Sequence, residues 1–569
     1  MKIIPDVKDV HYALGNIIVE EIKWIFSDGT DKRLVKAAAK IMENSESGIP
    51  VHINSGNEKS EAYTLKIEKD KITVSSDGAQ GAFYGIKTLA ALLRENGGTL
   101  ECCEINDSPD MEYRGFYHDI TRGKVPKLET LKKLVDTMSD YKLNSLQLYV
   151  EHAYEFKEYE EVRSLGYMTK DEVLALDEYC RENFIELVPS LSTFGHLYHL
   201  LSIDKYKHLC ELENYTPTMH HYMERMGHHT INPLKDESFE LIKSLIDQYL
   251  PLFKSDKFNI CCDETFDLCK GVNRGKDPAK LYCGFVKKIA EYVMSKGKTV
   301  MMWGDIILQH PEYIDELPDG IIFLNWDYSD EPNREKVKKF SDSGKAQIVC
   351  PGTSTWNQAG EQITCEELNI SRLTGYGYEF GAKGILNTNW GDYGNIASLE
   401  CAMYGLICGA AVGWRKETVF DKEFRKLASQ TLYGDSETVD LIDTTCGRRG
   451  QPDWCNTMKA NANLQLNGSA GTPDMADPAC IDDVIDTCKS VRDALCKKPI
   501  KEEIKEELII SLDFKALIAK WYAAVFGIKA DCYVNFGEWV KKYEKKWLEK
   551  NKRSELDSLL ELFNYFEDI

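Results

Sequence analysis

From Met111 onward, short apolar runs recur along the chain, and amphipathic stretches separate several of them. Nearly continuous apolar runs indicate strands that are buried on both faces, and therefore a parallel sheet. Between them, apolar residues recur at helical spacing, as at Leu128, Leu131 and Met138. Eight strands are predicted: Arg114–Ile120, Ser145–Glu151, Ile185–Leu191, Phe258–Cys262, Thr299–Trp303, Ile321–Trp326, Ala346–Cys350 and Gly384–Asn389. This pattern predicts an α/β fold with a (β/α)8 TIM barrel over residues 109–415.

The regions on either side of the barrel have different patterns. Residues 1–108 are predicted to form an N-terminal α/β domain, and the turn-rich segment Asn106–Asp110 marks its boundary. Its predicted elements are strands Asn16–Ile22, Tyr63–Ile67 and Lys71–Ser75 and a helix from about Gln80 to Arg94. Residues 416–569 are predicted to form a mainly helical C-terminal region, which a stretch rich in Gly, Pro and Asn interrupts at 447–478.

The net charge and the cysteine content limit which binding partners and which cellular compartment are expected. A net charge of −22 argues against nucleic acid and anionic membrane surfaces as partners. The 18 cysteines show no spacing typical of a disulfide framework, which favours reduced thiols. The N-terminus lacks the apolar run of a signal peptide, and no run is long enough for a membrane span. We therefore expect a cytoplasmic protein. The oligomeric state is not predicted.

The candidate active-site residues are those at the carboxyl ends of the predicted strands, because active sites in such barrels lie there. Carboxylates, histidines and tryptophans occupy these positions: Glu151 and His152, His196, Asp263 and Glu264, Trp303 and Asp305, Trp326, Trp356, and Trp390 and Asp392. Glycoside hydrolysis needs an acid for the leaving oxygen, anionic support for an oxocarbenium-like transition state, and flat apolar faces for the sugar. The pattern therefore favours a glycoside hydrolase.

Five motifs in this order resemble glycoside hydrolase family 20, the β-N-acetylhexosaminidases. They are Arg114–Arg122 (RGFYHDITR), Tyr141–Asn144 (YKLN), Phe194–His196 (FGH), Cys262–Glu264 (CDE) and Asn389–Asp392 (NWGD). The similarity extends over about residues 111–395. Residues 1–108 also resemble the α/β domain that precedes the barrel in that family.

The resemblance implies an exo-acting, retaining enzyme that removes terminal β-linked GlcNAc, or GalNAc, from glycans by substrate-assisted catalysis. The 2-acetamido oxygen of the substrate would attack the anomeric carbon and form an oxazolinium intermediate. Glu264 would be the general acid and base, and Asp263 would orient the acetamido group and stabilise the intermediate. Adjacent residues on a regular strand point to opposite faces, so both can reach one sugar only if the strand ends there and the chain turns. We predict no cofactor and no metal.

The resemblance also implies residues that bind the sugar. Arg114 would bind the 3- and 4-hydroxyls; a structural ion pair on the barrel floor is the alternative. Asp392 would bind the 4- and 6-hydroxyls, and Glu151 and His196 would lie near the acid. Glu151 stands where the family usually has Asp. The tryptophans Trp303, Trp326, Trp356 and Trp390 would wall the pocket. The tyrosine that the family usually places after strand seven is missing, and Tyr328 and Tyr393 are candidates to replace it.

Three other interpretations remain open at this point. Seven of the 12 histidines fall between His196 and His229, which suggests a metal site, but paired neighbours diverge and no HExxH-like spacing occurs. A mobile, polar loop that lines the substrate cleft is favoured there. A retaining glycosidase could instead use a carboxylate nucleophile, such as Asp305 or Asp392. A glycan-binding barrel without turnover is the non-enzymatic alternative.

Overall fold

A computed structural model describes residues 2–213, 220–227, 229–446, 452–471 and 480–568. The N-terminal residues form a six-stranded mixed sheet with strand order β1-β6-β4-β5-β3-β2. Helix α2 packs against this sheet through an apolar stripe that includes Phe83, Ile86 and Leu89, and α1 packs on α2. The elements are β1 Asp9–Ile18, β2 Ile22–Phe26, α1 Lys32–Ile41, β3 Ile49–Ser55, β4 Tyr63–Ile67, β5 Ile72–Ser76, α2 Ala79–Glu95 and β6 Thr99–Asp107.

The predicted strand Asn16–Ile22 is wrong. The chain leaves its antiparallel ladder with β6 after Ile18 and begins a new parallel ladder with β3 at Ile22. The other two predicted strands and the predicted helix agree with β4, β5 and α2 to within one residue at each end.

Within the described residues, eight parallel strands close into a barrel in the order β10-β11-β12-β13-β14-β7-β8-β9. Seven of them lie within one residue of their predicted bounds. The fourth, β10, ends at Asn259 instead of Cys262, because Cys261 and Cys262 take left-handed backbone angles. The strands are β7 Tyr113–Asp119, β8 Ser145–Val150, β9 Glu186–Leu191, β10 Lys257–Asn259, β11 Thr299–Trp303, β12 Ile322–Trp326, β13 Ala346–Cys350 and β14 Gly384–Asn389.

Helices surround the barrel, and several begin at side-chain caps that the sequence supplies. Thr169 and Glu172 form a capping box at the start of α4, and Asn333 caps α10, the short helix between β12 and β13. Two very short helices, α5 and α6, lie in the long segment between β9 and β10. The helices are α3 Leu128–Asp140, α4 Lys170–Glu182, α5 Tyr198–Leu201, α6 His221–Glu224, α7 Asp236–Tyr249, α8 Pro278–Ser295, α9 Asp305–Gln309, α10 Arg334–Asp342, α11 Ile363–Glu379 and α12 Met403–Trp414.

The C-terminal region is helical and reaches the barrel rim. Lys127 N donates to Lys550 O at 2.9 Å, and Lys552 N donates to Val125 O at 2.8 Å. The predicted interruption at 447–478 lies partly outside the described residues, and its middle is helical instead. The helices are α13 Lys422–Tyr433, α14 Thr438–Asp443, α15 Trp454–Asn467, α16 Ile481–Leu495, α17 Glu502–Val525, α18 Phe536–Lys550 and α19 Leu556–Asp568. None of the described helices combines the length and apolar character needed to span a bilayer.

Two ion pairs with buried cations join the N-terminal domain to the barrel floor. Arg114, at the start of β7, is fully buried and makes a two-point contact with Glu61 at 2.9 and 3.0 Å. It also donates to the carbonyls of Met111 and Lys142. Lys142 lies 3.2 Å from Asp107. These contacts lie at the amino-terminal end of the barrel strands, opposite to the end where the predicted catalytic residues lie.

We predict that Glu61→Ala destabilises the protein by about 3 kcal/mol, because a buried guanidinium then loses its counter-charge. Urea unfolding followed by circular dichroism measures the loss. Glu58→Ala, on an exposed site of the same loop, is the matched control and should unfold like the wild type. Equal stability of the two variants would contradict the importance of the floor ion pair.

Candidate active site

The chain turns sharply directly after β10. Cys261, Cys262 and Glu264 have φ angles of 55°, 65° and 48°, a region that costs energy for residues other than glycine. The turn is held by Asn259, whose Oδ1 accepts from Cys261 N, and by Asp305, whose Oδ2 accepts from Glu264 N at 3.1 Å. The turn places the Asp263 and Glu264 carboxylates on the same side, which is the condition for both to reach one sugar.

Gly195 is required beside this turn. A Cβ at this position would lie 2.4 Å from the Asp263 carbonyl oxygen, so no other residue allows the two segments to approach this closely.

His196 lies between the two acids. Its Nε2 is 3.2 Å from Asp263 Oδ2 and 3.2 Å from Glu264 Oε2, and the ring is buried. Burial opposes a charge on this ring, but the Asp263 and Glu264 carboxylates outweigh it and raise the pKa of His196 to about 10. The imidazolium therefore persists at neutral pH and offsets the repulsion between two neighbouring carboxylates.

Asp305 lies behind the turn and supports it. Burial, with the nearby Asp263 charge, raises the pKa of Asp305 to about 7. One of its oxygens accepts the Glu264 backbone N–H, and the other has no hydrogen-bond partner among the described residues. Its position suits a residue that holds the Asp263–Glu264 backbone in place.

Arg122 is the second buried cation of the site. Its Nη1 donates to Asp392 at 2.7 Å, its Nε lies 3.5 Å from Glu151, and its Nη2 lies 3.3 Å from His196 Nδ1. Its guanidinium also lies over the rings of Tyr149 and Trp390. This one side chain therefore joins the ends of three different strands.

The loops that carry these groups are fixed by Asp119. Its Oδ1 accepts from the backbone N–H groups of Thr121 and Arg122, and its Oδ2 accepts from Gly391 N at 3.0 Å. Glu151 accepts from the Tyr149 hydroxyl at 2.8 Å, and burial raises its pKa. The carboxylates around Arg122 are thus held by hydrogen bonds from the surrounding loops.

Aromatic side chains form one wall of the site. Tyr328 stacks on Trp326 at 5.1 Å, meets Trp356 edge-on at 4.9 Å, and accepts a hydrogen bond from Trp390 Nε1 at 2.7 Å. Trp303 is fully buried, with its ring 5.6 Å from that of Trp390. Trp326 and Trp356 are half-buried, so parts of their rings remain accessible. Flat apolar faces next to carboxylates suit a pyranose ring.

The structure brings together nine of the ten residues that the sequence singled out: Asp263, Glu264, Glu151, His196, Trp303, Trp326, Trp356, Trp390 and Asp392. The tenth assignment, Arg114 as a sugar-binding residue, is wrong. Arg114 begins β7 and lies at the floor in an ion pair with Glu61, which is the alternative that the sequence left open.

Two further residues of the site were missed or left undecided. Arg122 belongs to the same motif as Arg114, but it follows the carboxyl end of β7 and contacts the acids. The direction of the strand could have identified it, because only the arginine at the carboxyl end can reach the active site. Of the two tyrosine candidates, Tyr328 lies among the tryptophans. Tyr393 instead packs with the C-terminal helices, where its carbonyl accepts from Trp454 Nε1.

Comparisons with known proteins agree with this geometry. The sequence profile "Glycosyl hydrolase family 20, catalytic domain" matches residues 111–376, and "Glycosyl hydrolase family 20, domain 2" matches residues 1–108. A beta-hexosaminidase of Porphyromonas gingivalis is 27% identical over 286 residues, which are 44% of this chain and 36% of that protein. A lacto-N-biosidase of Bifidobacterium bifidum is 22% identical over 441 residues, or 71% of this chain and 36% of that protein. The chain thus spans little more than a third of the length of these relatives.

Solved structures share the fold. The chitobiase of Flavobacterium johnsoniae superposes with a TM-score of 0.62 at 16% identity, and the match covers 95% of each chain. The beta-N-acetylhexosaminidase of Bacteroides fragilis gives 0.61 at 18% identity, over 76% of this chain and 94% of that one. Two profiles of one family match consecutive parts of the chain, and the barrel carries the motifs in the same order. The chain therefore belongs to glycoside hydrolase family 20.

Proposed function

We propose that this protein is an exo-acting, retaining β-N-acetylhexosaminidase that removes terminal β-linked GlcNAc, or GalNAc, from glycans. One observation carries the proposal: the neighbouring acids Asp263 and Glu264 both lie 3.2 Å from His196, beside a wall of tryptophans. Relatives named beta-hexosaminidase support the same activity.

The two acids differ in exposure, and this difference suits two roles. The Glu264 side chain is 29% exposed, so it can reach the glycosidic oxygen, protonate it, and later activate water. The Asp263 side chain is 10% exposed and lies deeper, where it can accept the acetamido N–H and stabilise the positive charge of an oxazolinium intermediate. The acetamido oxygen of the substrate then displaces the leaving group, and the enzyme supplies no covalent nucleophile.

Tyr328 suits the role of the tyrosine that is missing after β13. Its oxygen accepts the Trp390 N–H and also contacts Thr388, and its O–H proton would donate to the acetamido carbonyl when the sugar binds. Asp392 and Arg122, joined at 2.7 Å, would bind the hydroxyls of the terminal sugar. Arg122 thereby takes the role that the resemblance gave to Arg114.

We also propose a cytoplasmic location. All 18 cysteines lie within the described residues, none is in a disulfide, and most are buried, as is usual for thiols kept reduced. Cell fractionation with an antibody against the chain tests this proposal; recovery in a secreted fraction would contradict it.

A panel of 4-nitrophenyl β-glycosides tests the activity. We expect turnover of the N-acetylglucosaminide, and loss of turnover when the 2-acetamido group is replaced by hydroxyl, because the nucleophile is then missing. A thiazoline analogue of the intermediate should inhibit. Equal turnover with and without the acetamido group would instead favour a carboxylate nucleophile such as Asp305, and absence of turnover would favour a glycan-binding protein.

Glu264→Gln should reduce turnover of substrates with poor leaving groups by ~10²–10⁴-fold, because general acid catalysis is lost. Activated aryl leaving groups, which need little protonation, should be less affected in the glycosylation step. The measurement compares kcat/KM for chitobiose and for the 2,4-dinitrophenyl glycoside. Glu240→Gln, at an exposed position of α7, is the control. Equal losses of kcat/KM on both substrates would show that Glu264 is not the general acid.

Arg122→Lys should reduce kcat/KM by about 10- to 150-fold, since hydrogen bonds to charged groups contribute about 1.5–3 kcal/mol and Lys lacks the planar fork. Arg114→Lys is the matched substitution at the floor. It should lower the unfolding midpoint while leaving kcat/KM of the folded enzyme nearly unchanged. A larger kinetic loss for Arg114→Lys than for Arg122→Lys would reverse the assignment of the two arginines.

A further inference from the structure

A second cluster of buried polar side chains lies next to the active site but outside it. His152 directly follows Glu151 after β8, His199 belongs to α5, and Glu555 directly precedes α19. One ligand atom of each lies within 4.8 Å of the others. The three residues are 2%, 8% and 3% exposed.

The ring nitrogens of this cluster lack partners. Neither nitrogen of His152, nor Nε2 of His199, has a hydrogen-bond partner among the described residues. An unsatisfied buried polar group costs about 1–3 kcal/mol, so several together point to a ligand that binds them. Neutral imidazole nitrogens are the histidine atoms that bind metal ions.

We propose that His152, His199 and Glu555 bind a zinc ion that has a structural role. Two imidazoles and a carboxylate are usual zinc ligands, and a tetrahedral site needs ligand atoms about 3.4 Å apart. His221, whose Nε2 lies 3.1 Å from Glu555 Oε2, is the nearest candidate for a fourth ligand.

Arg225 is compatible with this site. Its Nη1 lies 3.0 Å from Glu555 Oε1 and 3.3 Å from Oε2, and Oε1 keeps a further lone pair for the metal. The Arg225 guanidinium is a counter-charge for the buried Glu555 carboxylate. Hydrogen bonds to a ligating carboxylate commonly orient it toward the metal.

The proposed ligands come from three distant parts of the sequence, which explains why their spacing gives no metal motif. His152 belongs to the barrel rim, His199 and His221 to the long segment before β10, and Glu555 to the C-terminal region. A metal here would fasten both outer segments to the rim beside Glu151, which contacts Arg122.

The test uses the full chain, produced in zinc-supplemented medium and passed through gel filtration. We expect inductively coupled plasma mass spectrometry to find about one zinc ion per chain, as for a structural site. Removal of the metal with a chelator should lower Tm by several degrees, and ZnCl2 should restore it, because the ion binds the folded state. Co²⁺ added to the stripped protein should give the visible d–d bands of a tetrahedral site.

Variants locate the site. His199→Gln and His152→Gln should lose the bound zinc and the zinc-dependent rise in Tm. His208→Gln, an exposed histidine of the same long segment, is the matched control and should keep both. His196→Gln should also keep them; loss of zinc there would place the metal at the group His196, Asp263 and Glu264 instead.

The proposal is overturned if wild-type protein binds no zinc and shows neither a Tm shift nor cobalt bands, or if the His199 variant binds zinc like the wild type. If the variants fail to fold, the metal content and the cobalt spectrum of the wild-type protein test the proposal by themselves. These readouts are independent of glycoside turnover, so failure of the zinc proposal leaves the proposed activity unaffected.

Discussion

Repulsion among buried carboxylates is the constraint on which this site depends. Five of the acids at one rim contact a buried cation, and like charges in a poorly solvated site repel strongly. Two cations offset this repulsion: His196 lies between the paired acids, and Arg122 contacts the remaining ones. The two cations approach each other to 3.3 Å and repel, so the contacts of each cation with its own carboxylates have to outweigh this repulsion. The five acids are Asp119, Glu151, Asp263, Glu264 and Asp392.

The turn after β10 determines which of these acids meet the substrate. A strand that continued through Glu264 would direct Asp263 and Glu264 to opposite faces of the sheet. The left-handed residues prevent this, and Asn259, Asp305 and Gly195 keep the strained turn in place. Backbone strain of this kind persists only where the surroundings fix it firmly. The closed barrel supplies such surroundings.

The sequence predicted most of the barrel because strands buried on both faces leave a clear apolar signal. It also placed the acids and tryptophans correctly, since they follow the strands at the carboxyl end. It failed for Arg114 because a strand has two ends: at about 3.3 Å per residue, the five steps from Arg114 to Asp119, the last residue of β7, correspond to roughly 16 Å, and Arg122 lies beyond that end. The turn at Cys261 and the approach of Glu555 to His152 depend on tertiary contacts, which no local pattern records.

The pairing between the C-terminal region and the rim has a consequence for synthesis on the ribosome. The loop after Arg122 is held by chain segments made more than 400 residues later, through Lys552 N to Val125 O and the bridge between Pro126 and Asn551. Domains generally fold as they emerge. The barrel strands can therefore associate on a nascent chain, but the loop that begins at Arg122 gains its last supports only when translation has passed Lys552.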